Sequence, residues 1–181
     1  LRTKKTKLVG VILPKIDSNT ISREVEGISD ILTKQGYQLI LANTNNSTEE
    51  ELKYLSLFRD NQVDGVIFIA TILTKQHKDM LKEYRVPIVL LGQHLEGYPC
   101  IYQDDYKAAM SLTEELVKSG KKFGYITVTD KDEAVGRKRL SGVEEVLKKN
   151  RIELNSDCVK CGSFTLESGY EKTEELFNEY P

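Results

Sequence analysis

Short apolar runs alternate along the chain with stretches in which apolar residues recur every three or four positions. The first run is Leu8-Val9-Gly10-Val11-Ile12-Leu13, and Ile21, Val25, Ile28 and Leu32 follow at helical spacing. Gly36 then supplies a stop. Leu39-Ile40-Leu41-Ala42 reads as a second strand, and Ser47-Thr48-Glu49-Glu50 as the capped start of a helix carrying Leu52, Leu55 and Phe58. The run from Val63 to Ala70 is almost continuously apolar, which predicts a central strand covered by helices on both faces. Thr74 is placed to cap a helix with Met80, Leu81 and Tyr84, and Ile88-Val89-Leu90-Leu91 forms a fourth strand.

Beyond this point the rhythm continues with shorter signals. Cys100-Ile101-Tyr102 is extended, and Asp104-Asp105 opens a helix with Ala109, Leu112 and Leu116 on one face, ended by Gly120. Phe123 to Val128 is expected as the fifth strand of the same layer. Polar residues Thr129–Glu133 then open a helix with Leu140, Val143, Val146 and Leu147, followed by a strand around Val159 and a helix near Ser168–Tyr180. The whole predicts an α/β fold with a doubly wound parallel sheet. Its expected division is a linker end at 1–6, a complete first lobe at 7–128 and a partial second lobe at 129–181.

Composition narrows the classes of function. Of the 181 residues 30% are charged and 39% hydrophobic, so the chain can build a core, and a net charge of −2 leaves no footprint for nucleic-acid phosphates. The basic cluster from Arg2 to Lys7 reads as a solvated tail. No apolar run approaches the roughly 18 residues of a membrane span, and no signal-peptide pattern opens the sequence; the expected compartment is the cytoplasm. Cys158 and Cys161 form a C-x-x-C pair, but His77, His94 and Cys100 lack the spacing to complete a zinc site, so free thiols are expected, with no metal and no cofactor. No glycine-rich phosphate loop follows the first strand and no nucleophile–base signature is present. Pro14 and Thr71 stand where a phospho-receiver would carry acids. The expected protein is not an enzyme.

Several short segments, in this order and spacing, resemble the effector-binding core of lactose-repressor-like (LacI/GalR) bacterial transcription regulators, which share the periplasmic sugar-binding-protein fold. They are Lys5-Thr6 with Val9-Gly10-Val11-Ile12-Leu13-Pro14, Val63-Asp64-Gly65-Val66-Ile67, Val86-Pro87-Ile88-Val89, Asp104-Asp105, Ser119-Gly120-Lys121-Lys122, and Arg137-x-Arg139-x-x-Gly142. Asp132-x-Ala134-Val135-Gly136-Arg137-x-Arg139 looks most like the sucrose and trehalose operon repressors of Gram-positive bacteria. The resemblance implies a two-lobe core that binds a sugar or sugar phosphate at the carboxyl ends of the strands. It also implies a homodimer, contact with operator DNA only through a separate N-terminal helix-turn-helix domain, and no membrane association. For dimerisation it points to the stretch around Ser22, Val25, Glu26 and Ser29 and to surfaces near residues 70–85.

Within that frame Arg139 is the first ligand-binding candidate, because a guanidinium presents parallel donors that match a vicinal diol. Arg137 should point elsewhere. Asp105 is the second, as an acceptor for sugar hydroxyls, with Asp104 as its alternative and helix capping as its competing role. Ile16, Ser18 and Ile72 are further candidates, and Gln93 either bonds ligand or stays solvated. The expected function is a sugar-sensing repressor domain in which ligand shifts the lobe arrangement; the alternative is an extracytoplasmic sugar receptor of a transport system with the same fold.

Overall fold

The computed structural model describes residues 5–120 and 122–180; the start of the basic cluster, Lys121 and Pro181 lie outside the described residues. The elements in chain order are β1 (Leu8–Leu13), α1 (Asn19–Lys34), β2 (Gln38–Asn43), α2 (Thr48–Asp60), β3 (Gly65–Ile69), α3 (Lys75–Lys82), β4 (Ile88–Leu91) and β5 (Cys100–Ile101). They are followed by α4 (Asp105–Leu116), β6 (Tyr125–Thr127), α5 (Arg139–Lys149), β7 (Val159–Cys161) and α6 (Leu166–Glu179). Contacts divide the chain into two compact units, one ending at Tyr102 and one beginning at Gln103.

The first unit is a five-stranded parallel sheet in the order β2-β1-β3-β4-β5, which makes β3 central as its continuous apolar run requires. Side chains alternate across the strands, so β1 feeds two cores. Val11 and Leu13 face one side, with Ile69 and with Ile21, Val25 and Ile28 of α1. Ile12 faces the other, with Leu55 and Phe58 of α2, Leu81 of α3, and Phe68 and Leu90 of the neighbouring strands. Gly10 is fixed by this second core: a Cβ there would lie 2.3 Å from the Phe58 ring, so the glycine is the space the ring occupies.

Local signals at the helix ends act as expected. Gln35 closes α1 and Gly36 follows with φ +74°, the left-handed backbone that glycine adopts freely. Ser47 and Thr74 accept the backbone N–H groups of Glu50 and His77, respectively, at the starts of α2 and α3. Apolar patterning could not show that Glu51 and His77 are fully buried, with His77 Nε2 3.2 Å from Glu51 Oε2, the Thr74 hydroxyl 2.7 Å from His77 Nδ1, and the imidazole stacked on Phe68. Two polar residues thus join α2 to α3 inside an apolar layer.

The second unit departs from the expected layering. The strand expected to extend the first sheet instead pairs in parallel with β7, Tyr125 opposite Val159 and Thr127 opposite Cys161. The division between compact units accordingly falls after Tyr102 rather than after Val128. Helix α4 packs against α5, in part because Gly142 has no side chain: a Cβ would sit 2.4 Å from the Tyr106 carbonyl oxygen. This contact selects the α4 face carrying Tyr106, Ala109 and Thr113, so Leu112 and Leu116, read from the sequence as sharing one face with Ala109, are exposed. Cys158 ends a short 3₁₀ turn and Cys161 lies in β7, half-buried and exposed respectively.

Phe58→Ala would remove the ring that fills the space above Gly10 and should lower stability by about 3–5 kcal/mol, read from the urea midpoint at unchanged slope. Restoring volume from the other side with Gly10→Ala in the same chain should recover part of the loss.

Candidate functional site

The geometry that places Arg139 starts seven residues upstream. Asp132 is buried, and its carboxylate accepts the Val135 N–H at 3.0 Å, capping one wide π-helical turn, Glu133–Lys138, that runs directly into α5. The Asp132 carbonyl accepts from both Gly136 N and Arg137 N, the mark of the widened turn. Gly136 is required there because a Cβ would stand 2.0 Å from the Thr129 carbonyl oxygen. In the motif Asp132-x-Ala134-Val135-Gly136-Arg137-x-Arg139, therefore, the aspartate, alanine and glycine build the turn. Arg137 points away and pairs with Glu133 at 3.2 Å on the surface.

Arg139 Nε donates to Asp105 Oδ1 at 2.6 Å. The carboxylate is almost fully buried at 7% side-chain exposure, whereas the arginine side chain keeps 44%, so the pair anchors the guanidinium at one end and presents the rest. A charge-assisted bond to an immobile partner orients the planar fork. The two adjacent aspartates divide the roles left open by the sequence. Asp104 is the cap of α4, accepting Lys107 N–H at 3.1 Å, and Asp105 is left to hold Arg139. The backbone amide of Lys107 is the main influence holding the Asp104 carboxyl below the ordinary aspartate range; the Lys107 and Lys138 charges act in the same direction and burial opposes them.

Both members line an open cleft of about 480 Å³ in the second unit, whose other walls include Leu112, Leu116, Tyr125 and Val143. The exposed leucines that disagreed with the apolar pattern of α4 supply an apolar wall here. Burial pushes the Tyr125 phenol above its usual value; its bond with Thr127 and the Arg139 charge pull the other way, and Asp105 reinforces the rise. Tyr125 is thus part of the electrostatic surroundings of the pair. No spacing or motif distinguishes it in the sequence from other strand aromatics.

The remaining candidates lie in the first unit, after the carboxyl ends of its strands. Ile16 is 50% exposed, with its N–H donated to Asn43 Oδ1 at 3.2 Å. Ser18 stands at the N-cap of α1, where its hydroxyl makes no capping bond. Ile72 follows β3 and is half-buried. Gln93 is buried, not solvated, and donates from Nε2 to the Thr71 carbonyl at 2.7 Å, tying the loop after β4 to the loop after β3. Among the described residues no group of three or more His, Cys, Asp or Glu side chains could hold a metal ion, and no helix is long and apolar enough to cross a membrane.

A doubly wound parallel lobe followed along the chain by a second βα unit is the architecture of the periplasmic-binding-protein-like class. The chain belongs to the family of periplasmic binding proteins and the sugar binding domain of the LacI family, which matches residues 6–181. It is 28% identical over its whole length to the sucrose operon repressor of Staphylococcus xylosus, covering 56% of that protein. It is 31% identical over 99% of its length to catabolite control protein A of Priestia megaterium, covering 55% of it. The structure of the transcription regulator CcpA of Lactococcus lactis superposes with a TM-score of 0.87 at 34% identity, over 98% of this chain and 66% of that one. The chain thus spans a little over half the length of these curated relatives.

Two outcomes follow from the packing and capping. Gly142→Val should force α4 and α5 apart and lower the melting temperature by several degrees, a loss that Ala109→Gly in the same chain should not repair, since the obstruction is backbone. For Asp104, the folded carboxyl lies below its unfolded value, so its stabilisation is complete above the ordinary aspartate range and disappears as pH falls through the folded pKa. Asp104→Ala should therefore melt below the parent at neutral pH, and the gap should begin to narrow only once the pH falls below about 4.

Proposed function

We propose that this chain is the sugar-sensing, effector-binding domain of a bacterial transcriptional regulator, a repressor of a sugar-utilisation operon with a sucrose-like effector. The observation that carries this is the Asp105–Arg139 pair: a guanidinium held through Nε by a buried carboxylate, with nearly half of its side chain open beside apolar walls. Vicinal hydroxyls need fixed paired donors, and the C–H face of a sugar ring needs apolar surface. Arg139 supplies the donors. Asp105 acts chiefly by orienting Arg139, and its second oxygen accepts from a sugar hydroxyl. The named relatives, a sucrose operon repressor and catabolite control proteins, support the regulatory class.

In this reading Ile16, Ser18, Ile72 and Gln93 are contributed by the loops after β1, β3 and β4. Effector binding shifts the population between arrangements of the two units and so alters operator affinity, a change that needs differential affinity and no covalent chemistry. The regulator works in the cytoplasm as a homodimer, for which α1 offers a surface: none of its residues is fully buried, and Ile31 is 62% exposed.

Calorimetric titration with sucrose, trehalose, their 6-phosphates and fructose tests the reading. Binding of at least one is expected, and binding of none would end the sucrose-like assignment. With the sugar that binds, Arg139→Ala should weaken affinity by about 1–3 kcal/mol through its lost charged hydrogen bonds. Wild-type affinity in that variant would take Arg139 out of the site.

A further inference from the structure

Two segments that stand 57 or 58 residues apart in sequence, Thr6-Lys7 and Val63-Asp64-Gly65, meet at the amino ends of β1 and β3. The Asp64 carboxylate gathers donors from both residues of the first segment. Oδ1 accepts the Thr6 N–H at 3.0 Å and has the Thr6 hydroxyl at 3.1 Å, and Oδ2 accepts the Lys7 N–H at 2.9 Å. The Thr6 hydroxyl is also 3.2 Å from the Gln62 carbonyl. Lys7 is held on its other sides as well: its carbonyl accepts from Gln38 N at 2.8 Å, and its ammonium lies 4.3 Å from the centre of the Tyr37 ring.

The backbone on both sides of this junction is in an unfavourable region. Lys7 has φ +59° and Gln62 φ +55°, left-handed values that L-residues adopt at a cost and that persist only where the surroundings over-determine them. Glycine would relieve either position, and neither is glycine. What over-determines Lys7 is the carboxylate, which needs it turned so that consecutive N–H groups converge on it; Gln62 is left-handed because it closes α2, its own N–H and that of Val63 bonding back to the Arg59 and Phe58 carbonyls. Residues 6 and 7, read from sequence as part of a solvated tail, are therefore the most heavily fastened part of that cluster among the described residues.

We propose that Asp64 is a positioning residue that fixes where and in which direction the polypeptide approaches β1, at the pole of the first unit opposite the carboxyl ends of its strands. Resting on the regulator reading, this makes Asp64 the point at which the lobe sets the direction of the chain through Thr6 and Lys7 into β1. A joint made by one carboxylate is rigid as long as that carboxylate is ionised and intact, and it leaves the strand ladder beyond Leu8 to stand on its own hydrogen bonds. The threonine before the lysine fits the same joint: its single hydroxyl proton lies within reach of two acceptors, Asp64 Oδ1 and the Gln62 carbonyl, and goes to one of them at a time without adding charge.

The test is amide hydrogen exchange and limited trypsin digestion of the whole chain carrying Asp64→Ala, Asp64→Asn or Thr6→Val. Exchange of the Thr6 and Lys7 amides and cleavage after Lys7 should rise about tenfold or more in Asp64→Ala, as expected when hydrogen bonds to a charged group are lost. Asp64→Asn, which keeps one acceptor oxygen, and Thr6→Val, which keeps both amide bonds, should show smaller rises. Exchange at Val11 and Ile67, in the paired strands, should stay at the parent rate in all three. Unchanged exchange at residues 6 and 7 would overturn the proposal, and so would an equal rise at Val11 and Ile67, which would make Asp64 a general stability residue. The sugar titration is independent of these readouts: its failure would remove the sucrose-like assignment and leave the exchange result to decide the role of Asp64.

Discussion

Both faces of β1 are out of water, and most of the first unit follows from that constraint. A strand buried on two sides must send alternate residues into two cores, and here Val11 and Leu13 meet α1 while Ile12 meets α2 and α3. Helices must then cover both faces of the sheet, which parallel crossovers of one hand provide. Gly10 belongs to the same constraint: the strand passes so close beneath α2 that only the absence of a side chain admits the Phe58 ring. Because the strands run parallel, the loops after β1, β3 and β4 gather at one end of the sheet and the approach to β1 lies at the other.

The second unit is organised by close backbone approach. Gly136 lets the widened turn rest against Thr129, and Gly142 lets α5 rest against α4. These two contacts bring an arginine from one helix to an aspartate at the head of the other, 34 residues earlier in sequence. The neighbouring Asp104 satisfies the Lys107 amide at the start of α4, which releases Asp105 from capping. A carboxylate buried for its own sake would be costly; bonded to a partly exposed guanidinium, it gives that cation a fixed orientation. The Asp64 joint in the first unit uses the same chemistry on backbone donors.

Much of the first sheet was legible because its signals are local and redundant. The runs at Leu8–Leu13, Val63–Ala70 and Ile88–Leu91 differ from their surroundings in period, and Gly36, Ser47 and Thr74 mark helix ends by conformational or hydrogen-bonding preferences that need no tertiary partner. Strand partnership was another matter. Phe123–Val128 has the composition of a strand in either sheet, and only pairing with Val159–Cys161 decides which sheet it joins. Leu112 and Leu116 failed for a related reason: helical periodicity gives an apolar face, but the contact of Gly142 with the Tyr106 carbonyl selects another. Buried Glu51 and His77 carry no apolar signal at all.

The sequence by itself determined the α/β class, the first four strands with their helices, and the family resemblance that singled out Arg139 and Asp105. These are properties of residue type and short-range spacing, which survive without knowledge of what packs where. Tertiary structure alone decided that Asp105 rather than Asp104 holds Arg139, that Gln93 ties its loop to Thr71, that β6 joins β7, and that Thr6 and Lys7 are fastened to Asp64. Each of these depends on which of several chemically equivalent groups lies within 3 Å or so of a partner distant in the chain, a matter fixed by packing and hydrogen-bond geometry once the elements have assembled.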